Sequence, residues 1–382
     1  MKRNHRLIAG FLGLAISAML FTACGTKGAQ QTTAAQSQKE TTVAESTTEK
    51  SSEASTAKTR TVTDMKGVEV EIPMEVNTYV ESWFAHNEVD LMLDNAEGML
   101  VTCASPKKFP WMYAICPNFY KAVSTDFATD MNLEEIIAAK PDVVFGSNED
   151  YRAMFNNAGI PYINCMFSTY DDLKKSVRLT GEVLGGDAAK KAEDYVAYLE
   201  ERTAWVGEKT ASVAEDKKVS VAHGSSVYEL NFDGGNTIID EWIKLSGGVN
   251  AAAKEVEGNL KNISLEQVMA WNPDVLITGG PQSEVDKIMT DPAWAELSAV
   301  KNKKVYTNPK GAFAWDRYGV DAALQPQWCA QILYPELFAD FSIKDEVKKF
   351  YSTFLGYKLS DEEAQMILNN ESPNLDNYPK GK

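Results

Sequence analysis

A repeated segment places the strongest constraint on how this chain folds. Residues 132–145 read NLEEIIAAKPDVVF and residues 264–277 read SLEQVMAWNPDVLI, with six of the fourteen positions identical. Each copy opens with a residue that favours the N-cap of a helix, Asn132 or Ser264, and has Glu or Gln three positions later, as in a capping box. A short helix, a Pro-Asp pair and an apolar strand follow in both. The repeat therefore predicts two related α/β lobes.

The segments around the repeats predict how the lobes are connected. Residues 60–72 form two alternating runs around Lys66-Gly67, which indicates a β-hairpin. Apolar residues recur at helical spacing over residues 170–211, interrupted at Gly185-Gly186, and predict two helices, the second long enough to bridge two lobes. The expected domains are an amino-terminal lobe (60–170), linking helices (171–212), a carboxy-terminal lobe (213–342), and terminal helices with a tail (343–382).

The amino terminus predicts export and membrane anchoring. A basic start is followed by an apolar run over residues 7–21, which is the pattern of a signal peptide spanning residues 1–23. The next residue, Cys24, looks like the lipid-carrying cysteine of a bacterial lipobox, although an ordinary secretory signal is the alternative. Residues 24–59 are rich in Ser, Thr and Gln and cannot bury enough apolar surface to fold, so they predict a disordered tether. The expected location is the extracytoplasmic face of the cell membrane.

Charge and motifs argue against two classes of function, nucleic-acid-binding proteins and enzymes. The formal net charge is −16, whereas a protein that binds the phosphate backbone of nucleic acid needs a basic surface. The sequence has no H-E-x-x-H, G-x-S-x-G, P-loop or G-x-G-x-x-G pattern. We therefore predict a binding protein and not an enzyme; an extracytoplasmic hydrolase is the minor alternative.

Further segments point to a known family. They are TVTDMKGVEVEIP (61–73), TIIDEWIKLSGGVNAA (237–252), DPAWAELSAVKNKKVY (291–306) and FAWDRYG (313–319). Together with the repeats, they resemble the substrate-binding proteins of ABC importers for ferric siderophores, haem and cobalamin. The resemblance implies two Rossmann-like α/β lobes joined by a single long helix, with the ligand in the cleft between them (class III). It also implies a monomer that delivers a metal chelate to a permease dimer, with no covalent cofactor beyond the lipid on Cys24.

Loops at the carboxyl ends of the predicted strands are the expected ligand-binding surface, because ligands of open α/β sheets bind there. These loops carry many aromatic side chains, which suit a planar or hydrophobic chelate. The predicted ligand-binding residues are Trp83, His86, Trp111, Tyr113, Asn148, Tyr170, His223, Tyr228, Trp315 and Arg317.

Two histidines and one arginine are the candidate polar ligands. His86 and His223 each follow the first strand of a lobe, and we hypothesise that they face each other and ligate an open metal position. The alternative is that each only donates hydrogen bonds or caps a helix. Arg317 either pairs with an anionic group of the ligand or is held by Asp316. Because arginine is scarce, a neutral or mildly charged chelate is favoured over a tris-catecholate, with a nickel or cobalt complex or an oxyanion such as molybdate as alternatives.

The family resemblance also implies one acidic docking residue for the permease on each lobe. Glu88 in HNEVDLML matches the first position and Glu241 in TIIDEWIKL matches the second. The alternative for both is an ordinary carboxylate at the start of a helix, where the helix dipole favours negative charge.

Overall fold

The computed structural model of the protein describes residues 58–380. The strands are β1 (Thr59–Thr63), β2 (Glu69–Pro73), β3 (Tyr79–Glu81), β4 (Met99–Thr102), β5 (Val123–Ser124), β6 (Val143–Gly146), β7 (Tyr162–Asn164), β8 (Ser220–Gly224), β9 (Asn231–Phe232), β10 (Val249–Asn250), β11 (Lys261–Asn262), β12 (Val275–Thr278) and β13 (Val305–Thr307). The α-helices are α1 (His86–Asp94), α2 (Pro110–Ile115), α3 (Leu133–Ala139), α4 (Asp150–Asn157), α5 (Tyr170–Leu184), α6 (Gly186–Thr210), α7 (Ile238–Leu245), α8 (Leu265–Trp271), α9 (Gln282–Thr290), α10 (Ser298–Lys301), α11 (Gln325–Leu333), α12 (Ile343–Phe354) and α13 (Asp361–Leu368). Short 3₁₀ helices span Pro117–Tyr120, Glu215–Lys217, Pro292–Trp294, Val320–Ala323 and Leu375–Asn377.

Two separate parallel sheets organise the fold. The first has the strand order β5-β4-β3-β6-β7 and the second has the order β10-β8-β12-β13. All neighbouring strands within each sheet are parallel. No described strand belongs to both sheets, so the two-lobed α/β fold is confirmed. We call the half that carries the first sheet the first lobe and the half that carries the second sheet the second lobe. The predicted hairpin is also present, as the antiparallel pair β1 and β2.

The two repeat copies adopt the same local structure. Asn132 accepts hydrogen bonds from the backbone at the start of α3, and Ser264 does so at the start of α8. The helices end at Lys140 and Asn272, which both adopt the left-handed conformation, with φ of 53° and 43°. Glu135 and Gln267, three residues after each N-cap, do not bond back to the N-cap backbone. The capping boxes that the sequence predicted are therefore absent from these two helices.

The Pro-Asp pair of each copy ties the strand that follows to its neighbour in the sheet. Asp142 Oδ2 accepts hydrogen bonds from the backbone N–H groups of Asn77 and Thr78, at 2.8 and 2.9 Å, just before β3. Asp274 Oδ2 accepts one from Ser220 N, at 3.0 Å, at the start of β8. The repeated Asp thus aligns the strand that begins each lobe with the strand of the repeat.

Helix α6 is the long connection between the lobes. It begins immediately after Gly185, whose φ of 71° suits glycine and separates α6 from α5. Its 25 residues correspond to a length of roughly 37 Å. One face, including Tyr195 and Leu199, is buried. The Tyr195 hydroxyl donates to Val320 O at 3.0 Å, which fastens the helix to the segment between the second sheet and α11.

The described part of the chain begins after several of the predicted features. The signal peptide, Cys24 and nearly all of the tether lie outside residues 58–380. Within that range, no helix combines the length and apolarity that crossing a bilayer requires. The four cysteines there, Cys103, Cys116, Cys165 and Cys329, are free and buried.

Candidate functional site at the interlobe seam

Aromatic rings from the two sheets meet where the carboxyl ends of their strands face each other. Tyr318, after β13, packs against Trp83 and Phe167 of the first lobe, with ring centroids 5.7 and 5.6 Å apart. Phe313 stacks on Phe109 of the first lobe at 5.6 Å. We call the surface formed by these five residues the interlobe seam. The strand-end loops of the two sheets therefore pack against each other at the interlobe seam.

Four charged side chains, His223, Asp233, Asp316 and Arg317, lie beside the seam in the second lobe, and we call them the arginine cluster. His223 lies in the buried strand β8, and its Nδ1 lies 2.9 Å from Asp233 Oδ2. Its Nε2 lies 3.2 Å from Asp316 Oδ2, although not in hydrogen-bonding geometry. Arg317 Nη2 donates to Asp233 Oδ2 at 3.2 Å, and Arg317 Nε lies 3.4 Å from Asp316 Oδ2. The side chains of His223 and Arg317 are therefore both close to the same two carboxylates, those of Asp233 and Asp316.

The charged groups of the arginine cluster favour one another's ionised forms. Burial alone disfavours charged groups, but the opposite charges outweigh it and lower the pKa of both Asp233 and Asp316. The pKa of His223 is raised, because its two carboxylate neighbours outweigh its burial. With the imidazole protonated, two positive and two negative charges cancel.

Unused hydrogen-bond donors remain in and beside the arginine cluster. Among residues 58–380, Arg317 Nη1 has no acceptor, and the side chain of Arg317 keeps 17% of its surface exposed. The Tyr318 oxygen accepts from Asn259 Nδ2 at 3.1 Å, which leaves its own hydrogen free to donate. Lys310 is half-buried, and its Nζ forms no ion pair with any described residue. Burial lowers the pKa of Lys310, while Asp316 opposes that shift. The arginine cluster and its neighbours therefore offer donors and one surplus positive charge, that of Lys310 near Asp316.

The first lobe contains a second histidine cluster that is closed to the seam. His86, at the start of α1, is fully buried. Its Nδ1 lies 2.6 Å from Glu81 Oε2, and its Nε2 lies 2.8 Å from the Thr180 hydroxyl. Asp90 lies one helical turn further on, 3.7 Å from Nδ1. We call Glu81, His86 and Asp90 the acid–histidine cluster. Both ring nitrogens of His86 point to buried groups, so the expectation that it faces His223 across the cleft is wrong.

The predicted aromatic residues divide between the seam and the core. Trp83 lies at the seam. Trp111 and Tyr113 lie in helix α2 and not in a loop, and both are buried: Trp111 Nε1 donates to Glu371 O and the Tyr113 hydroxyl donates to Ala104 O. Trp315 lies in the same loop as Arg317, and its side chain is fully buried. These three residues are corrected from ligand contacts to core residues, because large aromatic side chains bury the most apolar area.

Three further predicted ligand residues have local structural roles. Asn148 is exposed and caps the start of α4 by accepting from Asp150 N at 3.1 Å. The Tyr170 hydroxyl donates to Ala322 O at 2.8 Å, so this buried side chain holds the lobes together. The Tyr228 hydroxyl donates to Asp291 Oδ2 at 3.0 Å within the second lobe. The structure does not bring these three side chains to the arginine cluster.

The two predicted docking acids differ in exposure. Glu88 is fully buried in α1, where it accepts from Asp321 N at 3.2 Å. Burial and the nearby Asp321 raise its pKa well above the ordinary value. A permease cannot reach this side chain, so its assignment as a docking residue is wrong. Glu241 is only partly buried and accepts from Tyr170 N at 2.8 Å.

Two residues of the site were missed from the sequence. Asp233 lies in a Phe-Asp-Gly-Gly turn, and nothing in that pattern indicates that His223 and Arg317 converge on its carboxylate. Asn259 follows a glycine in a polar loop, and its buried Oδ1 has no hydrogen-bond partner among the described residues. Both residues adjoin glycines in loops, where binding residues are common, but this signal does not indicate which side chains converge on them.

The architecture is that of a two-lobed solute-binding protein. The family model for periplasmic binding proteins matches residues 90–312, and the chain belongs to this family, as the sequence resemblance to binding proteins for iron complexes predicted. A periplasmic solute-binding protein of Veillonella parvula has a TM-score of 0.71 and 28% sequence identity, covering 81% of this chain and 97% of that one.

Two curated relatives bind different ligands. The molybdate-binding protein MolA of Haemophilus influenzae is 26% identical over 322 residues, covering 77% of this chain and 90% of MolA. Its molybdate-bound structure has a TM-score of 0.70, at 24% identity, covering 79% of this chain and 99% of that one. The Fe(3+)-citrate-binding protein YfmC of Bacillus subtilis is 24% identical over 247 residues, covering 61% of this chain and 68% of YfmC.

The family match and these relatives together give the class of this chain. It is an extracytoplasmic solute-binding protein of an ABC transporter and not an enzyme, and proteins of this class partner a permease.

Proposed function

We propose that this protein captures a compact oxyanion of the molybdate type at the interlobe seam and delivers it to its importer. The observation that carries the proposal is the set of unused donors beside the seam: Arg317 Nη1, the Tyr318 hydroxyl hydrogen and the unpaired Lys310 ammonium. Donors without acceptors match a ligand whose surface consists of anionic oxygens. The relative named for molybdate, MolA, is matched over 90% of its length, which supports the same ligand class.

The seam disfavours a large flat ligand. The rings of Trp83 and Tyr318 lie 5.7 Å apart, and those of Phe109 and Phe313 lie 5.6 Å apart. A planar macrocycle stacked between two rings needs about 7 Å, since each carbon–carbon contact takes roughly 3.5 Å. Haem and the corrin ring of cobalamin therefore require the seam to open widely, whereas a compact oxyanion needs less space.

Ferric iron held by a small carboxylate chelate is the second candidate. It also presents anionic oxygens to Arg317, and the relative YfmC is named for ferric citrate. The aromatic rings of the seam would then cover the carbon skeleton of the chelate, as in other apolar-lined ligand sites.

The test is isothermal titration calorimetry of the full-length protein in detergent with molybdate, tungstate, sulfate, ferric citrate and haem. We expect saturable binding of one molybdate per chain and weaker binding of sulfate, which has the same charge and shape but is smaller. Saturable binding of ferric citrate without a response to molybdate would replace the first candidate with the second. Binding of haem alone would contradict both.

We further propose that Glu241 is the second-lobe contact to the permease and that lipid on Cys24 anchors the protein. Glu241→Ala should lower uptake by the intact importer while leaving ligand affinity unchanged, because Glu241 lies outside the arginine cluster. A loss of affinity in this variant would reassign Glu241 to the ligand site.

Cys24→Ala removes the residue that would carry the lipid. This variant should be released from the membrane, since two or more acyl chains are needed for stable anchoring. Membrane retention of the variant would exclude the lipid anchor.

A further inference from the structure

The acid–histidine cluster of the first lobe brings two carboxylates and one imidazole close together without a lysine or arginine beside them. Glu81, His86 and Asp90 are each fully buried. One ligand atom from each of them lies within 4.8 Å of the other two. Within residues 58–380, Glu81 and Asp90 have no ion pair with lysine or arginine, and their only ion-pairing neighbour is His86. Two carboxylates in such a site are costly to bury unless they gain a positive partner.

The hydrogen-bond pattern fixes which nitrogen of His86 carries the proton. The Thr180 hydroxyl donates to Ser176 O at 3.0 Å, so its oxygen is left to accept from His86 Nε2 at 2.8 Å. The neutral imidazole then has its lone pair on Nδ1. That lone pair faces Glu81 Oε2 at 2.6 Å. Two acceptor atoms this close repel each other unless a proton or a metal ion lies between them.

Asp90 provides the independent sign of a missing partner. Among residues 58–380, neither of its carboxylate oxygens receives a hydrogen bond from an N–H or hydroxyl donor, and the Glu81 carboxyl group lies beside it. One oxygen lies 3.7 Å from His86 Nδ1, so the carboxylate is directed into the cluster. A fully buried carboxylate without a donor is rare in native proteins and calls for an unseen group.

We propose that Glu81, His86 and Asp90 bind one divalent metal ion, of which zinc fits best, as a structural centre separate from the transported ligand. Zinc takes imidazole nitrogen and carboxylate oxygen at about 2.0–2.2 Å, and side-chain shifts on the order of 1 Å bring the three groups to that distance. The second Asp90 oxygen supplies a fourth ligand. An ion of charge +2 balances the two carboxylates.

Neighbouring groups orient His86 and Glu81 through hydrogen bonds, as groups around a metal site usually orient its ligands. Thr180 binds the second nitrogen of His86, and Trp83 N donates to Glu81 Oε1 at 2.7 Å. The Trp83 indole stacks on the His86 ring, with centroids 6.2 Å apart and planes at 12°. The metal centre would therefore tie β3, α1 and α5 together directly beneath a seam residue.

The test loads the metal during folding, because the ligands are buried. The full-length protein is unfolded with a chelator present, refolded with Zn²⁺, with Mn²⁺ or without metal, and desalted; metal content is then measured by mass spectrometry. We expect one zinc per chain, a higher thermal midpoint for the zinc-refolded protein and little retained Mn²⁺. Asp90→Asn keeps the side-chain shape but should lose the zinc. His223→Gln, in the arginine cluster, is the matched control and should retain it.

The competing explanation is that the three groups share protons and hold no metal. In that case the wild type refolds without zinc, its midpoint is unchanged by zinc, and Asp90→Asn is at least as stable as the wild type; this result would overturn the proposal. If the variants fail to refold, Co²⁺ in the wild type decides the question. Visible absorption typical of nitrogen and oxygen ligation supports the site, and its absence refutes it.

Discussion

The two lobes each place a histidine and two carboxylates near the end of the first strand of their sheet, yet the two clusters are opposites. In the second lobe, Arg317 joins the cluster and keeps part of its guanidinium exposed at the seam. In the first lobe, the acid–histidine cluster is sealed and has no lysine or arginine partner within residues 58–380. A similar set of residue types thus lies beside the seam in one lobe and is sealed in the interior of the other.

The comparison teaches that adding an arginine beside the histidine changes the role of such a cluster. In the second lobe, burial disfavours the charged carboxylates, but His223 and Arg317 together outweigh it and lower the pKa of Asp233 and Asp316. Without a comparable cation, burial raises the pKa of Glu81 and Asp90. An ionised, arginine-paired cluster suits anion binding, whereas a cation-poor one suits protons or a metal.

Removing the arginine should have the largest effect. Arg317→Met leaves the carboxylates of the second lobe with His223 alone and removes the donors that face the seam. We expect a loss of about 2–5 kcal/mol in ligand binding, or at least roughly 30-fold in Kd, measured by titration calorimetry. Arg178→Met is the control, because Arg178 pairs with Glu193 on the surface and such pairs contribute about 1 kcal/mol or less. Unchanged affinity in Arg317→Met would exclude the arginine cluster from the ligand site.

Substituting the repeated Asp residues, Asp142 and Asp274, tests whether the Pro-Asp motif contributes equally to stability in the two lobes. Asp142 is half-buried and accepts from two backbone N–H groups and the Thr78 hydroxyl, whereas Asp274 is exposed and accepts from one N–H. Asp142→Ala should lower the free energy of unfolding by about 1.5–3 kcal/mol and Asp274→Ala by about 0.5–1.5 kcal/mol. Urea denaturation measures both. Equal losses would show that the motif is as important in the second lobe as in the first.

The pH dependence of stability tests the charge state of His223. Its pKa is raised in the folded protein, so its contribution to stability is fully present below its unfolded pKa of about 6.5 and is lost as the pH rises through the folded pKa. The stability difference between the wild type and His223→Gln should therefore shrink as the pH is raised from about 6 to about 9. Urea titrations at each pH provide the measurement. A difference that grows with pH would mean that His223 is neutral in the cluster.

The smallest expected effect concerns one hydroxyl at the seam. Tyr318→Phe keeps the ring contacts with Trp83 and Phe167 but removes the donor toward the ligand. We expect ligand affinity to fall by about 0.5–1.5 kcal/mol. Tyr228→Phe is the matched control, because the Tyr228 hydroxyl binds Asp291 within the second lobe. Equal effects of the two variants would place the ligand away from Tyr318.

The sequence by itself determined the architecture. The repeat predicted both helix–Pro-Asp–strand units, and Gly185 marked the break before the long helix, because N-caps, left-handed C-caps and apolar periodicity are local properties that act within a few residues. The same reasoning identified Trp83, His223 and Arg317, each of which the structure places at or beside the seam.

Only the tertiary structure decided which of those side chains meet. Asp233 joins Arg317 across 84 residues of sequence, and Glu88 is covered by Asp321 across 233 residues. Burial and charge pairing depend on such distant neighbours. Residues with similar local patterns, such as His86 and His223, or Trp83 and Trp111, therefore reach different environments. A sequence pattern places a side chain on its helix or strand, but the charges and rings that pack against it come from elsewhere in the chain.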